Sequence, residues 1–425
     1  MTFEAWMITP KEGVDNLRQK VKASNTVLKY ELHLAYRGES ADEGPLEVEL
    51  ERLTHVTAGT AHEVVRFDHS AKDWRQKIVV AKRRSREKNG FIETEAGKVQ
   101  VHQDQKAGKP QERLATTLPR TVLSSVNASE SPTVVVARNE MASWRFLQFE
   151  PTALRAPDPF RADRAVSANG SHLAAALNAL DRPTPAASGT YPPAREAVAR
   201  RVSELVNDVQ EVWIDEDKTK ELFTLMARLS DGTPHPARSL SDGTLRFLAL
   251  AIIEQSRQSG GLYCLEEPEN GIHPERIPAM LRLLTDIAVD PNAPPDDADN
   301  PLRQVIINTH APQVVGEVAD DSLLMAHNRR TTLTKRQAEA FKIDQSYVGK
   351  PMQLATFSAL SDTWRTRPDK EGNSLMPSTS RGDLLTYLNP IVLRHTSPVP
   401  HGITRPRRVI DRQDIKQFLL FRDPA

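Results

Sequence analysis

The chain is 425 residues long, with 56 Lys+Arg balanced by 56 Asp+Glu, 39% hydrophobic residues and one cysteine. That length holds two or three domains, or one large α/β domain with insertions; the neutral balance gives no global pull toward nucleic acid, and no apolar run nears the ~18 residues that cross a bilayer. Cys264 alone excludes an intrachain disulfide and a Cys-rich metal cluster, and the opening MTFEAWMITPKEG lacks a basic start, an apolar stretch and a cleavage site, so a cytoplasmic chain without membrane contact is expected.

Up to about residue 150 the chain reads as mostly β. In LKYELHLAY, Leu28, Tyr30, Leu32, Leu34 and Tyr36 recur with the period of a half-buried strand, and LEVEL, from Leu46, repeats it. FIETEAGKVQVHQ predicts a hairpin turning at Gly97. The basic run KRRSREK, Lys82 to Lys88, reads as a solvated face or as a phosphate-backbone contact. WRFLQFEPTALRAPDPF is proline-rich and is expected to be an extended connection. GSHLAAALNAL predicts a helix capped by Ser171, and Arg182 to Pro193 a linker. From Pro193 an amphipathic helix is expected, with Ala197, Val198, Val202, Leu205, Val206 and Val209 on one core-facing stripe.

From Glu221 strands and helices alternate: ELFTLMARL, TLRFLALAIIEQ, GLYCLEE, ERIPAMLRLLTDIA and RQVIINTH. That alternation predicts a parallel sheet. The last hundred or so residues give no compact pattern.

Three short stretches in this region carry chemistry. LYCLEE is an apolar strand ending in Glu266 and Glu267. In α/β sheets ligands sit off the carboxyl ends of the strands, where one acid can meet Mg²⁺ through water and its neighbour can orient an attacking water. A strand ending in surface charge explains the same letters. In RSLSDGTLRFLALAII, Ser241 stands at a helix N-cap and Gly243 in the next turn, an arrangement that suits phosphate or an ordinary capped helix. VIINTHAP ends an apolar strand in Thr309-His310, a phosphate contact or a structural histidine.

Their order and spacing are more specific than each alone. LSDGT, CLEEPENGIHP and NTHAP resemble the signature motif, the Walker B strand with its D-loop, and the switch-histidine loop of ABC-type ATPases in the SMC/RecF-like branch of AAA family ATPases. The resemblance covers roughly residues 221 to 325. It implies an α/β P-loop NTPase fold of the ABC/SMC-head kind, with a mixed sheet and a β-rich N-terminal lobe. The implied divisions are a β-rich lobe over 1–156, a helical insert over 157–215, a motor lobe over 216–328 and an extension over 329–425. It implies ATP and Mg²⁺ as cofactors and a homodimer that sandwiches nucleotide. Glu266 would support the metal and Glu267 would activate water. His310 would sense the γ-phosphate, Ser241 and Gly243 would contact the nucleotide held by the other copy, and Asn270 and His273 would lie at the dimer seam. Glu266 departs from the aspartate usual in the family.

The family also needs a Gly-rich loop ending in Gly-Lys-Ser/Thr. The Gly-Lys pairs here, Gly97-Lys98, Gly108-Lys109 and Gly349-Lys350, are followed by neither Ser nor Thr. The expectation is that an N-terminal segment on the order of 70 to 90 residues, carrying that loop, is absent from the sequence and that the chain alone binds ATP poorly. The glutamine of the family's Q-loop has Gln148 as its one candidate. Residues 326 to 425 lack the glutamate and Asp-x-Asp set of a Toprim nuclease, and the 12 histidines show no zinc spacing. Two classes of function stay open: an ATPase acting on DNA in repair or in phage defence, with or without an effector partner, and a regulatory ATPase-like subunit that dimerises without hydrolysis. HGITRPRRVIDRQ, near the C-terminus, reads as a nucleic-acid contact or an exposed tail.

Overall fold

The computed structural model describes residues 1–388 and 409, apart from 37–45, 58, 82–89, 105–108, 128–130, 181–193, 207–208, 257–260, 297–298, 336–337, 339–344, 369–371 and 373. The basic run at 82–88, the linker at 182–193 and all of the stretch 401–413 except Val409 lie outside the described residues.

The first strands are β1 (Thr2–Ile8), β2 (Glu12–Val14), β3 (Lys20–Lys22), β4 (Val27–Tyr36), β5 (Leu46–His55), β6 (Ile92–Glu95), β7 (Lys98–Val101) and β8 (Gln111–Leu114). Six of them form one antiparallel sheet, ordered β1-β4-β5-β6-β7-β8, while β2 and β3 pair apart. Of the expected stripe, Leu28 and Tyr30 are buried, with Leu53, Ile92 and Val99, against Val134 and Ala137 of a helix that runs from Pro132 to Ser143, while Leu32 and Leu34 are partly buried and Tyr36 is exposed. The predicted turn at Gly97 is present, with Ala96 and Gly97 both at positive φ (48° and 74°), the conformation of a two-residue hairpin loop. Glu51 is buried under this sheet. Its carboxylate accepts from the backbone N–H groups of Val122 (2.6 Å) and Leu123 (2.8 Å) and from the Tyr30 hydroxyl (3.2 Å). Burial raises its pKa.

A three-stranded parallel sheet follows, made of β9 (Arg145–Leu147), β14 (Leu262–Glu266) and β15 (Gln304–Asn308) in the order β15-β14-β9. Between them in sequence lie β10 (Asp158–Pro159), β11 (Val209–Asp217), β12 (Leu222–Leu229) and β13 (Pro234–Pro236), which form a separate antiparallel sheet. The expected parallel alternation is therefore corrected at its first member: ELFTLMARL is β12 and pairs antiparallel with β11. Sequence reading misses β11, whose nine residues include Gln210, Glu211, Asp215, Glu216 and Asp217, types depleted in strands, and whose register shifts between Val209 and Glu211. The stretch WRFLQFEPTALR is also corrected. It supplies β9 and then a short helix at Pro151–Arg155, where the proline takes the first turn.

The helices of this half, labelled from here, are α1 (Pro151–Arg155), α2 (Leu173–Leu180), α3 (Ala194–Leu205), α4 (Asp242–Gln255), α5 (Ile277–Ile287) and α6 (Pro312–Glu317). Of the expected stripe, Val198 and Val202 are buried on α3 and Ala197 is partly buried, with Ala199 buried beside them, while Val206 and Val209 are buried beyond the helix. α4 is buried almost all round and joins the inner residues of both sheets, Leu147, Tyr263, Leu265, Val212 and Leu225, into one core. The cap expected from Ser171 comes instead from Asp158: its Oδ2 accepts from the Ala175 N–H at 3.0 Å and its Oδ1 faces His172 Nδ1 at 3.1 Å, while Ser171 Oγ bonds to Ser167 Oγ at 2.6 Å. Beyond the core, β16 (Leu324–Thr332) and β17 (Pro351–Ala359) make an antiparallel hairpin, structure that the C-terminal sequence did not signal. The fold is mixed α/β with several sheets. No helix among the described residues is long and apolar enough to cross a membrane.

Candidate functional site

The parallel register fixes the site. Glu266, the last residue of β14, is the Cα partner of Asn308, the last residue of β15, and His310 follows two residues on. Glu266, Glu267 and His310 therefore share the carboxyl edge of the sheet. Gln148 joins them, since it follows Leu147, the β9 partner of Leu265. Glu266 and His310 are exposed, and the Glu266 carboxylate makes no hydrogen bond or ion pair among the described residues.

Glu267 ends the strand with a left-handed backbone, φ 42°. Its N–H donates to the Asn308 carbonyl (2.7 Å), its carbonyl accepts from the Asn270 N–H (3.1 Å), and its carboxylate accepts from the Asn270 side-chain amide (2.5 Å). This turn directs the two adjacent acids apart. A left-handed backbone costs a residue with a Cβ about 1–2 kcal/mol, and such strain persists where surroundings enforce it. Glu267→Gly is therefore expected to be about 1 kcal/mol more stable to urea than Glu267→Ala. Equal stability of the two variants would show that the turn is not strained.

The loops after β14 and β15 are tied together. Glu269 is 8% exposed, and its Oε1 accepts from the Thr309 hydroxyl, whose Oγ1 in turn accepts from the Ala311 N–H at 2.9 Å. This clasp brackets His310. The sequence shows Thr309 as the neighbour of His310 but gives Glu269 no role; a buried acid inside an otherwise polar turn is visible only once the fold is known.

The turn before α4 packs on the same segment. Ser241 caps the helix, its Oγ accepting from the Thr244 N–H at 3.2 Å. Gly243 is buried, and a Cβ there would lie 2.9 Å from the Gly271 carbonyl oxygen. Its glycine is thus needed for packing against the 267–271 turn, a reason distinct from close approach of a phosphate. Arg155 of α1 braces the turn, pairing with Asp242 and donating to the Leu240 carbonyl at 3.1 Å. Arg246, one turn along α4, donates to the Phe149 carbonyl at 3.4 Å. Burial lowers its pKa, while the charges of Asp242 and Glu269 hold it up. The structure thus packs Asp242 and Gly243 against Gly271 within one chain, and uses the Asn270 amide to hold Glu267. His273 lies exposed further along, its Nδ1 accepting from the Glu275 N–H at 3.4 Å.

Among the described residues no group of three or more His, Cys, Asp or Glu could by itself hold a metal. A lone exposed carboxylate at a strand end suits Mg²⁺, which keeps most of its waters and borrows ligands from phosphate. No Gly-Lys-Ser/Thr loop is present in the sequence.

Residues 192–316 match the family model described as "AAA domain, putative AbiEii toxin, Type IV TA system". This segment is similar to that AAA domain. It carries the Ser241 turn, both acids and the Thr309-His310 loop, while Gln148 and β9 lie outside it. No curated protein matches the sequence. Among solved structures, the chain is similar to the Smc head domain with a coiled coil and joint from Pyrococcus yayanosii (10% identity, TM-score 0.24, covering 40% of this chain and 26% of that one). It is also similar to the Smc head domain with an extended coiled coil, bound to the C-terminal domain of ScpA, from Pyrococcus furiosus (12% identity, TM-score 0.22, covering 38% and 35%). The chain spans about a quarter to a third of those solved chains.

Proposed function

We propose that the AAA domain is the motor of an ABC-type ATPase, which binds Mg-ATP between two copies of the chain and hydrolyses it in the cytoplasm. The observation that carries this reading is the pairing of Glu266 with Asn308, which sets the twin acids and His310 along one edge. Glu266 would hold Mg²⁺ through water, and the metal would offset charge on the phosphates. Glu267, steadied by Asn270, would take the proton of the attacking water, and His310 would donate to a phosphate oxygen. Ser241, with its N-terminal helix dipole, would face the phosphates from the other copy. Gly243, Asn270 and His273 would line the seam.

A second reading is favoured by one observation, the lack of a Gly-Lys-Ser/Thr loop in the sequence. In it the chain is a regulatory subunit that dimerises without hydrolysis. The description of the matched family supports a setting in a toxin–antitoxin system; phage defence, an effector partner and action on DNA in repair rest on family analogy.

Titration with a fluorescent ATP analogue separates the two readings. The ATPase reading expects weak, Mg²⁺-dependent binding with Kd of about 1 mM, lowered at least tenfold in affinity by Glu266→Ala. Lack of binding at millimolar nucleotide, or binding indifferent to Glu266, contradicts it.

A further inference from the structure

A histidine that works in a site is ordinarily oriented by a hydrogen bond on its second ring nitrogen. His310 lacks that support: it is exposed, and its ring makes no hydrogen bond or ion pair among the described residues. Its placement therefore comes from the backbone on either side. Thr309, before it, donates its hydroxyl to Glu269 Oε1, and the N–H of Ala311, after it, donates to Thr309 Oγ1 at 2.9 Å. The Ala311 carbonyl in turn starts α6, accepting from the Val315 N–H at 3.2 Å. At the other end of the clasp, the Glu269 carbonyl accepts from the Ile272 N–H at 2.9 Å, in the same turn where Asn270 holds Glu267.

A carboxylate is an unusual group to bury for the sake of one hydroxyl. Glu269 Oε2 is buried and accepts from no group among the described residues, and Arg246 meets the acid through its charge, without a hydrogen bond or ion pair. Stability alone disfavours such a group. A bond to an ionised acceptor is short and well directed, which suits a part that holds its partner in place. We propose that Glu269 and Thr309 are the positioning residues of His310. The clasp makes the turn of the twin acids and the loop after β15 move as one, so that His310 reaches a terminal phosphate only where Glu267 faces the same phosphate. The clasp is a feature of the fold; its consequence for nucleotide rests on the ATPase reading.

The test uses the full chain with a fluorescent analogue of Mg-ATP and the matching analogue of Mg-ADP, which lacks the phosphate that His310 would reach. The parent is expected to hold the triphosphate about tenfold more tightly than the diphosphate, the worth of one hydrogen bond to a charged group. His310→Ala is expected to abolish that preference. Thr309→Val, which keeps the shape and removes the hydroxyl, is expected to abolish it too, at unaltered diphosphate affinity, while Thr309→Ser retains it. Glu269→Gln keeps an acceptor for the hydroxyl and is expected to retain most of the preference; Glu269→Met is expected to lose it. A second readout needs no nucleotide. The imidazole NMR signal of His310, identified by its absence from His310→Ala, is expected to shift in Thr309→Val and to return in Thr309→Ser. A folded Thr309→Val chain with the parental preference and an unshifted His310 signal overturns the proposal. If that variant does not fold, Glu269→Met set against Glu269→Gln decides on the same two readouts. A parent that binds both analogues alike, or neither, while the His310 signal still follows the clasp, overturns the ATPase reading and supports the positioning.

Discussion

Gly243→Ala is expected to destabilise the chain by about 1–3 kcal/mol, the cost of overpacking a site with no free volume. Helix propensity alone predicts the opposite sign, since alanine in a helix is better than glycine by about 1 kcal/mol. The contact decides. A Cβ at this position would lie 2.9 Å from the Gly271 carbonyl oxygen, a backbone atom that cannot rotate aside. Gly271 is itself left-handed, φ 78°, and closes the turn that begins at strained Glu267. Relief would therefore push the twin acids away from the α4 turn. Urea denaturation measures the effect; a variant as stable as the parent or more stable would show that the turn yields freely.

Arg303→Ala is expected to be costlier still, about 3–5 kcal/mol, the range for stripping one partner from a buried charged network. Arg303 is 2% exposed and sits just ahead of β15. Its guanidinium donates to the carbonyls of Ile253 (3.2 Å) and Glu254 (3.3 Å) and to that of Ser256, the residue that follows α4. Burial lowers its pKa, while the nearby Glu254 carboxylate and the Tyr263 ring hydroxyl favour the cation. Removal leaves helix carbonyls without their charged donor and a cavity beside them. Arg303→Lys keeps the charge but not the fork, so partial recovery is expected. The functional consequence follows from length. α4 runs about 21 Å from the Ser241 turn to its pinned end at Ser256, so Arg303 sets the first motif against the strand that leads to His310. Chemical denaturation with a loss below about 1 kcal/mol would mean that water replaces the guanidinium.

Much of the site's frame was legible in the sequence. The apolar runs that stop at Glu266 and at Asn308 announce strands ending at one edge, and the Ser241 cap announces α4; each rests on local pattern. What escaped depends on partners far apart in the chain. Asp158 caps α2 from a two-residue strand, and no window around Ser171 contains it. Glu269 is held by Thr309, and Gly243 must be glycine because of Gly271. β9 is three residues long, too short for a period, so its place beside β14 and the placement of Gln148 waited on the sheet. β11 escaped because five of its nine residues are Gln, Glu or Asp, types depleted in strands.

The central claim is that the Ser241 turn of one copy and the acids of another close on one triphosphate. Sedimentation of the full chain with and without about 10 mM Mg-ATP tests it most directly, since nucleotide that binds only the paired form must drive pairing by mass action. The account predicts a monomer without nucleotide, a dimer with it, and a Ser241→Arg variant that stays monomeric while losing only about 1 kcal/mol of stability with its helix cap. A parent chain whose mass is the same with and without Mg-ATP, or a Ser241→Arg chain that dimerises as the parent does, would contradict it.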